Sequence, residues 1–112
     1  MSWHVPVVEK LSRGETVRVR ARRGVVSPPV DPRKTLVLVP VLPAAPKSGS
    51  VRERAQVGDV VLCEVRGMHW IHPIGAIRSV NGRQLYQITT HRGEVRGWVS
   101  LASLKGKLHS IE

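Results

Sequence analysis

Ser27 lies in the stretch RARRGVVSPPVDPRKTLVLVPV at 20–41, which has the outline of a loop presenting a serine nucleophile at the mouth of a β-structure. A serine hydroxyl attacks a carbonyl only when a neighbouring base removes its proton. By residue type the candidate bases are His69, His72 and Lys34, yet no spacing in the sequence ties any of them to Ser27. Pro28 and Pro29 restrict Ser27 to extended backbone. The expectation is a solvated loop serine.

The other chemistry-bearing residues point to binding rather than catalysis. In HWIH, His69 and Ile71 share one face of a strand, while Trp70 and His72 share the other. A pair on opposite faces does not chelate a metal, and Cys63, His4, His91 and His109 are distant in sequence, so no zinc site is expected. Arg18, Arg20, Arg22 and Arg23 form the densest basic run, and Arg92 and Arg96 flank Gly93 and Gly97 in a segment that offers an anion site or simply a turn. Trp70 beside arginine is a candidate hot spot or stacking platform. Trp3 is expected to be exposed like Trp70, and Trp98 to pack in the core. With Tyr86 the one tyrosine and no phenylalanine, an aromatic groove for single-stranded nucleic acid has little support. No glycine loop has the spacing of a phosphate cradle. No cofactor is expected.

Bulk composition sets the frame. Eighteen Lys plus Arg against eight Asp plus Glu give a net charge of +10 over 112 residues. Such a field attracts polyanions, either nucleic acid or an acidic protein surface. The same excess also arises from an arginine-rich genome, since the charges are spread along the chain. A single cysteine excludes an internal disulfide framework. No apolar run approaches the roughly 20 residues of a membrane-spanning helix, and MSWHVPVVEKL lacks a small-residue cleavage site. These features predict a cytoplasmic protein without membrane association.

Strands must position these residues. TVRVRA at 16–21 alternates, with Val17 and Val19 inward and Arg18 and Arg20 outward. TLVLVPVL at 35–42 is a continuous apolar run, expected to be covered on both faces and bent or at an edge near Pro40. GDVVLCEVRG at 58–67 and MHWIHPIGAIRSV at 68–80 follow, the second bent at Pro73 and Gly75. Asn81-Gly82 is the favoured dipeptide of a tight hairpin. RQLYQITT, GEVRGWVSL and GKLHSIE supply further strands, and only VPVVEKLSRGE at 5–15 reads as a helix, of about two turns, ending near Gly14. The expected fold is all-β: a small, strongly curved, partly closed barrel with a short N-terminal helix. A single domain over 1–112 divides into an arm and helix at 1–14, first strands at 15–42, a loop or connector at 43–56 and a β-meander at 57–112.

The order of VVEKLSRGETVRVRARRG, LVLVPV, VGDVVLCEVRGMHWIHPIGAI, HRGEVRGWVSL and LKGKL resembles small bacterial and phage proteins with the β-fold of LexA-type repressor autoproteases and type I signal peptidases. The similarity runs from about Val7 to Leu108. It implies a serine on a turn, within Gly-x-Ser-Met and a following proline, and a neutral lysine on the paired long strand. Laid on this sequence, Gly24 takes the glycine position and Pro29 the proline position. Val26 then stands at the serine and Ser27 at the methionine. His72-Pro73-Ile74-Gly75-Ala76-Ile77 matches His-apolar-apolar-Lys-Ala-Val, which puts Gly75 at the lysine. With both members of the dyad replaced, the resemblance implies a catalytically inactive scaffold without peptidase or self-cleavage activity. Two functions follow as expectations. One is a binding or inhibitory module toward a protein partner; the alternative is a basic nucleic-acid-associated protein that grips the phosphate backbone. Expected binding residues are Arg18, Arg20, Arg22, Arg23, Trp70, His72, Arg92 and Arg96.

Overall fold

A computed structural model describes residues 3–41 and 54–112. The chain runs through one helix, α1 (His4–Ser12), then strands β1 (Val17–Arg20), β2 (Thr35–Val39), β3 (Val60–Val65), β4 (Met68–Val80), β5 (Arg83–Thr89) and β6 (Val95–Ser100). A short 3₁₀ turn at Leu101–Ser103 leads into β7 (Leu104–Ile111). The expected connector at 43–56 lies largely outside the described residues.

The seven strands form one antiparallel sheet in the order β1-β2-β7-β3-β4-β5-β6. The all-β expectation holds, but the expected barrel does not. β1 and β6 end the sheet without pairing to each other, so it bends without closing. The bend carries β6 across β3, where a Cβ on Gly97 would sit 3.1 Å from Val65.

Local chemistry explains the elements. α1 buries Val7 and Leu11 on one face. It stops where Gly14, at φ +86°, donates to the Leu11 carbonyl (3.0 Å) while Glu15 donates to Lys10 (3.1 Å), the paired bonds of a left-handed glycine terminus. Asn81 and Gly82, at φ +51° and +78°, supply the two left-handed residues that a tight β4–β5 turn demands. In β1, Val17 is buried and Val19 half-buried, with Arg18 and Arg20 exposed, as the alternation predicts.

The period of two also separates two apolar clusters. Leu36 and Leu38 of β2, Leu62 of β3 and Ile71 of β4 pack with Val7 and Leu11 beneath the helix. Val61, Cys63 and Val65 point the other way and meet Ile74, Tyr86, Ile88 and Leu104. β3 is therefore covered on both faces, and so is β2, whose Leu36–Val39 run is fully buried, as a continuous apolar strand requires. Trp98, expected in the core, is only half-buried. Its neighbour Val99 takes the Tyr86 side, so Trp98 faces outward and lies under the Arg78 guanidinium at 4.4 Å.

β4 is bent as expected. It pairs with β3 from Met68 to Pro73 and with β5 from Ile74 to Val80, and its register shifts between Ile74 and Ala76. Gly75 sits in that bulge. A Cβ there would fall 2.6 Å from Thr89 Cγ2 and 2.9 Å from Gln87 Oε1, so the position has no room for a side chain without local movement.

Candidate functional site

The segment between β1 and β2 is held at its base by the Ala21 N–H donating to the Lys34 carbonyl at 3.1 Å. Asp31 stiffens its far end by accepting from the Arg33 backbone N–H (2.9 Å) and guanidinium (2.8 Å). The Arg33 contact also holds the Asp31 carboxyl below its ordinary range. The middle of the segment docks along β4: the Ile71 N–H donates to the Val25 carbonyl and the Ser27 N–H to the Ile71 carbonyl, both at 2.9 Å. This short parallel bridge opposite Ile71 puts Val26 into the apolar cluster under α1. Val26, at the serine position of the resembled family, is thus a core residue.

Ser27 corrects the sequence reading. It is 6% exposed rather than solvated. Its Oγ accepts the backbone N–H of His91 at 2.8 Å and lies 2.7 Å from Nδ1 of the same histidine. His91 comes from the turn between β5 and β6. There Thr90 Oγ1 accepts the N–H groups of Arg92 (3.3 Å) and Glu94 (3.1 Å), and the Gly93 N–H reaches the Thr90 carbonyl at 3.0 Å. One hydroxyl therefore fastens the 22–32 loop to the 90–94 turn. None of the expected bases, His69, His72 or Lys34, takes that place. His91 does, across 64 residues.

Between the loop and the turn lies an open cleft of about 600 Å³. Arg22 and Arg23 reach it from the loop, Arg92 from the turn and Arg96 from β6, with Ser27 and His72 along its inner wall. All four arginines are exposed. The Arg96 guanidinium covers the Trp70 ring at 4.9 Å, and Trp70 in turn meets His72 edge-on at 5.1 Å. His72 is 2% exposed, and among the described residues its Nδ1 has no hydrogen-bond partner. Burial first, then the positive charge of Arg96, hold its pKa below the ordinary imidazole value; carbonyls of Ile71 and Val25 pull weakly the other way.

A second hollow, of about 540 Å³, shares Arg22, Arg23 and Gly24 with the first. Its walls are aromatic. His4 stacks on His69 with ring centroids 3.7 Å apart and an interplanar angle of 12°, Trp3 meets His4 edge-on, and Trp70 closes the far side. Trp3 and Trp70, expected to be exposed, are half-buried because their rings pack against His4 and His72. His69 is displaced below the ordinary imidazole value by burial and then by His4.

Of the sequence-derived binding residues, Arg22, Arg23, His72, Arg92 and Arg96 meet at the first cleft, with Trp70 behind Arg96. Arg18 and Arg20 do not. They lie on β1, where Arg18 pairs with Glu112 at 3.2 Å. Gly97, read as part of a loop, belongs to β6. Gly75 lies outside the lining, so the two positions of the resembled dyad, Val26 and Gly75, do not face each other across the cleft.

The Ser27–His91 pair, 2.7 Å apart at the cleft, has the reach of a serine nucleophile and its base. Its hydroxyl oxygen is buried and already accepts a backbone N–H. Among the described residues no carboxylate hydrogen-bonds the His91 ring to orient it, as the third member of a triad does. Also among the described residues, no three His, Cys, Asp or Glu side chains converge as metal donors, and no helix is long and apolar enough to cross a membrane. What the arrangement offers is convergent guanidinium groups over a polar floor, suited to holding carboxylate or phosphate. Compared with family models, curated proteins and solved structures, the chain matches none.

Proposed function

We propose that this chain, whose order of sequence motifs resembles that of the LexA and signal-peptidase proteins, is a catalytically inactive binding module which holds an acidic segment of a cytoplasmic protein partner in the arginine-rimmed cleft. The observation that carries this reading is the meeting of Arg22 and Arg23 with Arg92 and Arg96 from distant parts of the sequence around one open cleft. Arginine forks suit carboxylates, and an extended peptide adds backbone bonds where a sheet edge is free, as β6 is among the described residues. Val26 in the core and a crowded Gly75 support the inactive reading, because neither position can supply a nucleophile or a base.

A second reading has its own support. The aromatic hollow adjoins the cleft through Arg22 and Arg23, which places stacking rings beside guanidinium groups, as in proteins that bind single-stranded nucleic acid. One experiment separates the two: fluorescence anisotropy with a glutamate-rich peptide, single-stranded DNA and duplex DNA across a salt series. The protein-partner reading expects peptide binding that falls at least about tenfold in the Arg22→Glu/Arg96→Glu variant, a loss of about 1.4 kcal/mol. DNA retained at about 0.15 M salt with a steep log–log slope, and no peptide binding, would replace it with the nucleic-acid reading.

A further inference from the structure

The floor of the cleft is chemically incomplete. His72 is almost wholly buried, and although the Ile71 and Val25 carbonyls act on its ring, its Nδ1 makes no hydrogen bond among the described residues, where most buried polar atoms are paired. The charged or titratable neighbours that act on its ring are Arg96 from β6 and His91 from the 90–94 turn. Arg22, Arg23 and Asp31 face the cleft from the loop, and Arg92 and Glu94 from the turn. Asp31 is already engaged by Arg33 at 2.8 Å. Arg96 covers the Trp70 ring that His72 meets edge-on, and both Arg96 and His72 line the cleft.

Resting on the cleft reading above, we infer that this floor is a recognition site for one oxyanion group, a carboxylate or phosphate of the acidic segment, completed by Arg96 and His72, and that His72 takes up a proton as the anion arrives. Burial and Arg96 disfavour the imidazolium. A negative charge within a few ångströms reverses that balance, because it favours the charged ring and offers an acceptor for its N–H. Coupling is reciprocal: the factor by which the anion tightens proton binding is the factor by which the proton tightens anion binding. The ligand is thus held more firmly on the acid side of neutrality, while the rim arginines set the attraction that does not vary with pH.

The test is an NMR titration of the His72 ring in the full chain, alone and with saturating sulfate or acetate at constant ionic strength. Sulfate keeps its charge across about pH 5 to 8, the histidine window, so a shift in midpoint belongs to the protein. The expected result is a rise of about one unit or more with at least one anion, equivalent to about tenfold tighter binding on the acid side, abolished by Arg96→Gln. A response to sulfate alone identifies a tetrahedral, phosphate-like group; a response to acetate alone identifies a carboxylate. A His72 midpoint unmoved by both anions overturns the inference. If that happens while Arg22→Glu/Arg96→Glu still abolishes peptide binding, the cleft reading survives without it. If the midpoint moves but peptide binding ignores charge reversal, the oxyanion site stands and the partner reading falls.

Discussion

Replacing Ser27 by alanine separates a structural hydroxyl from a reactive one. In the native protein the Oγ accepts the His91 N–H at 2.8 Å and meets Nδ1 at 2.7 Å while only 6% exposed. Deleting it leaves the part-buried His91 backbone N–H without that acceptor, and an orphaned buried donor costs about 1–3 kcal/mol, less where water reaches it. The imidazole, from an exposed residue, regains water and adds little. The net loss is about 1–2 kcal/mol, roughly a five- to thirtyfold fall in the folded-to-unfolded ratio. His91→Ala keeps the backbone bond and is expected to cost less, about 0.5–1 kcal/mol. Equilibrium urea unfolding, followed by tryptophan fluorescence at one pH, gives both values, with the denaturant slope unchanged. Should Ser27→Ala match the native protein, or His91→Ala prove the more damaging, the fastening role fails. Treatment with a fluorophosphonate followed by intact-mass measurement completes the test. No adduct is expected, and a stoichiometric adduct on Ser27 would restore hydrolytic chemistry to the site.

Three further outcomes follow from the same geometry. His69 and His72 both lie below the ordinary imidazole value of 6.5, so the unfolded chain binds more protons just beneath that pH; their contribution to stability is complete above about 6.5 and declines as pH falls toward the folded values, and His69→Gln should flatten the acid limb of a melting-temperature profile. Burial lifts the Cys63 thiol to about 12, so native protein near pH 8 should resist iodoacetamide and become fully alkylated in urea, as read by mass. Gly75→Ala should lose about 1–3 kcal/mol by overpacking against Thr89, and Thr89→Ser, which removes the nearer Cγ2, should recover part of that loss in a double-mutant cycle.

Much of the fold was legible because its causes are local. Gly14 ends the helix and Asn81-Gly82 turns the hairpin through backbone conformations that few other residues adopt. The alternation in β1 and the unbroken apolar run of β2 report one-sided and two-sided burial directly. Trp98 shows the limit, since an aromatic at a strand position belongs to whichever face its neighbours leave open, and Val99 holds the inner one. Closure of the sheet was equally beyond reach, because strand count does not decide whether β1 and β6 meet. The site was half legible. Arg22, Arg23, Arg92 and Arg96 stand out by type, but only the topology brings them to one rim while leaving Arg18 and Arg20 elsewhere. His91 carried no signal at all: its contact with Ser27 exists because the β5–β6 turn folds back onto a loop 64 residues earlier.

β4 belongs to both halves of the sheet, and its kink at Gly75 decides how far the two walls of the cleft stand apart. One wall is stitched to the strand at Ile71 and the other follows from β5, so a guest that grips both walls acts as a brace across the bulge. Occupancy and stability are then linked: whatever fills the gap adds its binding free energy to the folded arrangement of the two walls.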